Sequence, residues 1–384
     1  MRRICLLGAT GSVGGSVLSV IRQYPELFTL YGFSAWSNIG KTIALIEEFA
    51  PKYVVLAQEH PDLPLMFPNV EFMFGEEGIV DLAMHEENDT IINAVTGTAG
   101  FLPSLGALKK GKTLIIANKE SLVAGGKFLI EAEKKYNGSI IPLDSEHLAL
   151  FDLLRGKESS EIEEIILTAS GGPFLHKEIN ETISIEDVLN HPTWKMGMHI
   201  TVNSANMMNK GLELIEAIYL FGTTEDKIRI LIHPQSLVHG AVHCKGSHWH
   251  MLASPTDMRY PALYALFFPE TPKEAPFGIY DPTREPLEFL EPDEKKFPLL
   301  PFIRQVAREN GVLPAVLCAA NEVIVEKFLE GRIKFYKIPD LIQEIVENYP
   351  NIANPSAEEI LIADKKARIL TLERITFKGD DLRL

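Results

Sequence analysis

Cysteine is nearly absent from this chain of 384 residues: Cys5, Cys244 and Cys318 lie far apart and never in a Cys-x-x-Cys spacing. That excludes a disulfide scaffold and a structural zinc module. Basic charge is also short, with 37 Lys+Arg against 52 Asp+Glu, a formal net charge of −15, and no Lys/Arg-rich run to neutralise a row of phosphates. Nucleic acid is therefore not an expected partner. No apolar stretch reaches the roughly 18 to 20 residues of a membrane span. Met1 is followed by two arginines and a strand-like run that turns at once into glycines, which does not read as a signal peptide. The expectation is a cytoplasmic protein with no membrane partner. No internal repeat or low-complexity tract is present, and at roughly 150 residues per domain the length predicts two or three domains, each large enough to bury a core.

Residues 1–147 alternate apolar runs with amphipathic stretches. Strands are expected at Arg3–Leu7, Phe28–Ala35, Tyr53–Leu56, Thr90–Val95, Thr113–Ala117 and Ser139–Leu143. Such alternation implies an α/β fold with a parallel sheet wound on both faces. Residues 148–268 keep strands at Glu164–Thr168, Ile228–Ile232 and Ser236–His243 but add a long irregular stretch from Gly171 to Asn203, the pattern of a separate α+β domain with a lid loop. Eight of the 24 prolines fall between Pro269 and Pro301, so residues 269–301 read as a linker. Helical periodicity returns at Phe302–Arg308, Pro314–Leu329, Ile338–Glu347 and Ser356–Thr371, making 302–384 a C-terminal α-helical domain.

Gly8-Ala9-Thr10-Gly11-Ser12-Val13-Gly14 directly follows the first strand and opens a helix. There the free N–H groups of a helix N-terminus and its dipole favour a pyrophosphate, and glycine lets the backbone approach it. The spacing is G-x-x-G-x-x-G rather than the commoner dinucleotide fingerprint, so a glycine-rich turn that binds nothing stays open. Where NAD-binding chains place an acid after their second strand, this chain has Trp36-Ser37-Asn38. Ser37 and Asn38 can donate to a 2′-phosphate, which points to NADP in a Rossmann-like domain, while a plain polar turn stays open for these residues.

Ligands of an open parallel sheet sit beyond the carboxyl ends of its strands. The residues there are Thr96–Gly100, Asn118-Lys119-Glu120-Ser121 and Asp144-Ser145-Glu146-His147. Asp144 and Glu146, two apart at a strand end, are expected to point the same way, and paired carboxylates suit a hard cation such as Mg²⁺ or Mn²⁺. A helix-capping role for the same residues remains open. Lys119 is a candidate ligand for a hydroxyl or phosphate. In the second domain, Ser170-Gly171-Gly172 follows a strand and can cradle a phosphate. Asn206, Asn209, Lys210 and Glu213 recur at helical spacing on one face of a helix expected from Ser204 to Phe221, either as ligands or as a solvated face with a Lys210–Glu213 ion pair. Between them, His191 is a candidate phosphate contact and Trp194 a candidate lid residue. His243, Cys244, His248 and His250 lack a zinc spacing, and His233-Pro234-Gln235-Ser236 reads as a turn rather than a site.

Taken in order along nearly the whole chain, Gly-Ala-Thr-Gly-Ser-Val-Gly at 8–14, Ala-Asn-Lys-Glu-Ser-Leu-Val at 117–123, Asp-Ser-Glu-His at 144–147, Ser-Gly-Gly-Pro-Phe at 170–174, Met-Met-Asn-Lys-Gly-Leu-Glu at 207–213, His-Pro-Gln-Ser at 233–236 and Ala-Asn-Glu-Val at 320–323 resemble the 1-deoxy-D-xylulose 5-phosphate reductoisomerase family. The resemblance implies an NADPH- and divalent-metal-dependent rearrangement and reduction of that sugar phosphate to 2-C-methyl-D-erythritol 4-phosphate, in isoprenoid precursor synthesis, by a homodimer. It implies a retro-aldol/aldol route before hydride transfer, with Mg²⁺, Mn²⁺ or Co²⁺ as the metal. By the same resemblance Asp144, Glu146 and Glu213 hold that metal and, with Lys119, are the catalytic set. Lys119, Ser145, Glu146 and Glu213 contact substrate. Ser170, His191, Ser204, Asn209 and Lys210 grip its phosphate, and Trp194 and Met196 cover it. Gly8, Thr10, Gly11, Ser12, Val13, Trp36, Ser37, Asn38, Asn118, Glu120 and Gly197 fall at cofactor positions. Where the family commonly reads Lys-Ile-x-x-Asp-Ser-Ala-Thr-Met-Met, this chain has His199, Asn203 and Asn206 at the altered positions.

Overall fold

The apolar runs and amphipathic stretches of the first half alternate as expected in the computed structural model, which describes residues 1–274, 276–281, 283 and 286–382. In chain order the elements are β1 Arg2–Leu7, α1 Ser12–Gln23, β2 Phe28–Ser34, α2 Ile39–Phe49, β3 Tyr53–Leu56, α3 Asp62–Met66, β4 Glu71–Phe74, α4 Gly75–Met84, β5 Thr90–Asn93, α5 Phe101–Lys109, β6 Thr113–Ile116, α6 Lys119–Tyr136, β7 Ser139–Pro142 and α7 Ser145–Leu154. There follow β8 Ile162–Ala169, α8 Ile185–Leu189, α9 Met198–Ala205, α10 Met208–Phe221, β9 Ile228–Ile232, β10 Val238–Cys244, β11 His248–Ala253, α11 Arg259–Phe267, α12 Leu299–Glu309, α13 Leu313–Leu329, α14 Ile338–Glu347 and α15 Ala357–Leu382.

The chain divides into two units. The first comprises residues 1–121, 127–148 and 257–278. Its seven strands pair in parallel in the order β4-β3-β2-β1-β5-β6-β7. The order reverses at β1, which puts the ligand crevice beyond the carboxyl ends of β1 and β5. Ile4 to Leu7 and Val54 to Leu56 are buried on both faces of the sheet, which is why these strands read as continuous apolar runs. The short edge strand β4, Glu71–Phe74, is only partly buried, and sequence pattern misses it. Helix α11, distant in sequence, belongs to this unit: Phe267 meets the rings of Tyr24 and Phe28 edge-on at 4.9 and 5.4 Å, and Arg2 donates to the Leu266 carbonyl at 2.7 Å.

The second unit comprises residues 122–126, 149–256 and 279–384. A four-stranded sheet in the order β11-β10-β8-β9 has β8 and β9 parallel and the other pairs antiparallel. One apolar core joins this sheet and α10 to the C-terminal helices, running from Ile165 and Leu167 through Leu212 and Ile215 to Ile303, Leu317 and Phe328. The stretch from Gly171 to Asn203, read from sequence as irregular, contains α8 and most of α9. Helix α8 begins at a reciprocal cap in which Ser184 and Asp187 each bond the other's backbone N–H. The helix expected from Ser204 instead breaks in two, because Met207 adopts a left-handed conformation (φ 63°) between α9 and α10. Residues 275, 282, 284 and 285 of the expected linker lie outside the described residues. No helix among the described residues is long and apolar enough to cross a membrane.

Candidate active site

In the first unit the glycine loop is built at the end of β1. Gly8 has φ +85°, and a Cβ there would lie 2.5 Å from the Ala94 carbonyl oxygen on the neighbouring strand end. A Cβ on Gly14 would meet the Gly8 carbonyl at 2.5 Å, so both glycines are required for α1 to seat against the loop. Gly8 N–H donates to Ser34 Oγ at 2.8 Å, which ties the loop to β2. Gly11 caps α1 without a side-chain partner, and the first turn carries no acid. Thr10, Gly11, Ser12 and Val13 are thus held as a cradle whose N–H groups and dipole favour an anion. Trp36, Ser37 and Asn38 are exposed beyond β2. Asn38 caps α2 by accepting from Lys41 N–H at 3.1 Å, and Lys41 Nζ reaches the Thr10 carbonyl at 3.3 Å. Sequence reading missed this cation beside the glycine loop, although its place in the first turn after Asn38 was visible.

The loop beyond β5 is fixed by two buried amides. Asn93 donates to the Gly100 carbonyl at 2.9 Å and Ser104 Oγ at 2.7 Å. Asn118 donates to the carbonyls of Val95 and Gly97 and to Glu120, and its oxygen caps α6 by accepting from Ser121 N–H at 3.1 Å. At position 118 the amide shapes the loop that faces the cofactor edge, and Asn93, absent from the sequence reading, does the same from β5.

Beyond β7 the geometry differs from the expected strand alternation. The strand ends at Pro142 and Ser145 already begins α7, so Asp144 is the residue before the helix. Its Oδ1 accepts from the N–H groups of Glu146 (3.1 Å) and His147 (3.3 Å) and contacts His147 Nδ1 at 3.1 Å. Its Oδ2 pairs with Lys119 Nζ, both side chains being largely buried. Asp144 therefore serves as a cap and presents a carboxylate oxygen at the same time. Ser145 Oγ donates to Glu146 Oε2 at 2.6 Å.

In the second unit the phosphate candidates converge. His191 Nε2 lies 3.0 Å from Ser170 Oγ and 3.1 Å from Ser204 Oγ, linking β8, the irregular segment and α9. Its Nδ1 accepts from the N–H groups of Thr193 (3.2 Å) and Trp194 (2.9 Å). Those two donors assign the proton to Nε2, and burial pushes the imidazole pKa down to about 4. At neutral pH the group is an uncharged donor between two serine hydroxyls. Gly171 and Gly172 both have positive φ, and a Cβ on Gly172 would meet the Ser204 carbonyl at 2.9 Å, so this loop presses directly on the start of the α9–α10 junction. The α10 stripe is buried rather than solvated: Glu213 is 0 % and Lys210 4 % exposed. Glu213 takes Asn209 Nδ2 at 2.6 Å on one oxygen and Lys210 Nζ on the other. Trp194 packs against His239 at 5.9 Å between centroids, and Thr193 Oγ1 lies 3.3 Å from Ser236 Oγ. Met196 and Gly197 follow in the same segment, Gly197 capping α9 through bonds from Thr201. His199 is exposed, whereas Asn203 Oδ1 and Asn206 Nδ2 are buried without a hydrogen-bond partner. His233 is spent on structure, bonding the Glu288 carbonyl and stacking on Phe289.

The chemistry of these donors fits both groups that the sequence implies. Asp144 and Glu146 in the first unit and Glu213 in the second are hard oxygen ligands suited to Mg²⁺ or Mn²⁺. The glycine cradle fits a dinucleotide. Family models described as 1-deoxy-D-xylulose 5-phosphate reductoisomerase match residues 4–126, and its C-terminal domains match 140–221 and 253–370. A 1-deoxy-D-xylulose 5-phosphate reductoisomerase of Bacillus cereus (strain Q1) is 41% identical over 381 residues, covering 98% of this chain and 100% of the relative. One of Listeria innocua is 41% identical over 376 residues, 96% of this chain and 98% of the relative. A crystal structure of the reductoisomerase with NADPH, fosmidomycin and magnesium superimposes with a TM-score of 0.92 at 33% identity, over 99% of this chain and 100% of that one. The Zymomonas mobilis enzyme with NADPH gives 0.88 at 33% identity, over 97% and 99%. The chain belongs to the 1-deoxy-D-xylulose 5-phosphate reductoisomerase family.

Proposed function

We propose that this chain converts 1-deoxy-D-xylulose 5-phosphate to 2-C-methyl-D-erythritol 4-phosphate, using NADPH and a divalent metal ion. The observation that carries the reading is that family membership spans the whole chain while each unit keeps its own part of the machinery: the glycine cradle and Asp144–Lys119 pair in one, the Ser170–His191–Ser204 cluster and α10 stripe in the other. We assign residues 1–147 to NADPH binding, and the three carboxylates Asp144, Glu146 and Glu213 to the metal. Bound there, the ion would supply a Lewis acid and a template for the ketone and hydroxyl oxygens while the carbon skeleton rearranges. NADPH would supply hydride to the aldehyde produced.

The residues themselves do the rest. Lys119, oriented by Asp144, donates to a substrate oxygen, and Ser145 presents a hydroxyl beside it. Neutral His191 donates through Nε2 to the serine hydroxyls, freeing Ser170 and Ser204 to donate to phosphate oxygens, with Asn209 and Lys210 adding charge and a further donor. Trp194 and Met196 exclude water from the bound substrate. Lys41 pairs with the 2′-phosphate of the cofactor. We further infer a cytoplasmic homodimer: β11 forms the edge of its sheet and exposes Trp249 and Met251, a surface of the kind that pairs with a second copy.

NADPH absorbance with purified protein and 1-deoxy-D-xylulose 5-phosphate, with Mg²⁺ or Mn²⁺ and again with excess chelator, tests the reading. Metal-dependent oxidation is expected. Absence of oxidation under both conditions, with cofactor binding confirmed separately, would overturn it.

A further inference from the structure

The three elements that carry the candidate site at one end carry a cavity at the other. The C-terminal ends of α7 and α10 and the start of β8 line a half-open pocket of about 460 Å³ within the second unit. On α10 this lies a full helix away from Asn209 and Lys210, about 16 Å along the axis at 1.5 Å per residue. On β8 it is the end opposite to Ser170. None of its lining residues belongs to the site described above.

Its composition is selective. Phe151, Leu154 and Phe221 form an apolar wall, while Lys157 and Lys227 contribute cations and Arg155, which has a partner of its own, stands beside them. No carboxylate lines the cavity, although acids outnumber bases by 52 to 37 in the chain. Lys157 and Lys227 enter no ion pair among the described residues. An apolar wall bordered by two lysines that lack ion-pair partners matches one ligand class: a small molecule with an anionic head and an apolar body. We propose that this cavity is a second, non-catalytic binding site for such an amphiphilic anion. A phosphate or a carboxylate head would satisfy the same cations.

Titration calorimetry of the full-length protein with hexyl phosphate and with hexanoate tests this, with inorganic phosphate as the control lacking an apolar body. Saturable binding of at least one alkyl anion is expected, tighter than that of inorganic phosphate. It should persist in Lys210→Ala, where the proposed substrate-phosphate grip is damaged, and weaken at least tenfold in Lys157→Glu/Lys227→Glu. That double variant should keep turnover within twofold of wild type. Tighter binding of hexyl phosphate than of hexanoate would assign a phosphate head, and the reverse a carboxylate. Binding unchanged in the double variant, binding lost in Lys210→Ala alone, or no binding of either alkyl anion would overturn the proposal. The test stands apart from the turnover assay, so failure of one leaves the other intact.

Discussion

Glu213 shows how far a single residue can be read from its position. Its spacing from Asn209 and Lys210 places the three on one helical face, and that much is visible in the string. The burial is not, because charged residues on a helix ordinarily face water; here the pair is enclosed on α10 and each charge is held by the other. Glu213→Gln is expected to abolish turnover while NADPH affinity, measured by cofactor fluorescence, stays near wild type, since the glycine cradle is untouched. Wild-type-like turnover would remove Glu213 from the metal site. His191 makes a separate prediction through its depressed pKa. The unfolded chain binds a proton at about pH 6.5 and the folded one only at about pH 4, so the unfolded state carries more protons between those values. Stability conferred by the neutral imidazole is present above pH 6.5 and is lost as pH falls toward 4. In His191→Gln, urea midpoints measured from pH 7.5 to 4.5 should fall less steeply than in wild type. Equal slopes would show that the ring is not buried neutral.

At the scale of elements, legibility followed burial. β1, β2, β3, β5, β6 and β7 are mostly buried and so stand out as apolar-rich segments, found to within two residues. The strands missed, β4 and β11, are partly or largely exposed: β4 offers only Phe72-Met73-Phe74 after the exposed Glu71, and β11 carries His248 and His250. Helix α9 was hidden because its residues Met198–Ala205 mix β-branched and polar side chains without a clear periodicity, and the left-handed Met207 has no local signal of its own. The β2–α2 turn was read as a specificity element from Ser37 and Asn38, but its cation comes one turn later. Lys41 sits in the first turn of α2, bonded to Thr10, where the helix dipole disfavours a positive charge by about 0.3–1 kcal/mol and a bound anion would offset that cost. Lys41→Glu should raise the KM for NADPH at least tenfold, while the KM for NADH changes by less than threefold. Parallel changes in both would assign Lys41 to the loop's structure rather than to the 2′-phosphate.

At the scale of the whole molecule, hydrophobic pattern marks the C-terminal helices correctly but cannot say what they cover. Helix α13 is apolar on nearly all sides, the signature of a helix inside a core rather than on the surface of a small appended domain. Its neighbours bear this out: Phe174 packs on Phe335 at 5.2 Å between centroids, and Gly211 admits Ile303 so closely that a Cβ would lie 2.2 Å from it. Residues that present the proposed phosphate site are therefore backed by residues 92 and 161 positions further along the chain. A chain ending at Pro301 would uncover Phe174, Val202, Leu212, Ile215 and several neighbours, at about 1.5–3 kcal/mol for each large side chain. That sum, of order 10–15 kcal/mol, matches the roughly 5–15 kcal/mol by which a domain is stable at all. In a Trp36→Phe background, which removes the first unit's tryptophan, the truncated protein is thus expected to lose the cooperative unfolding transition reported by Trp194 and Trp249 and to bind an apolar dye in the absence of denaturant. The first unit, whose segments all precede Pro301, has no such dependence and should retain its secondary structure. A soluble truncated chain with a sharp tryptophan transition would show that residues 302–384 form an independent domain after all.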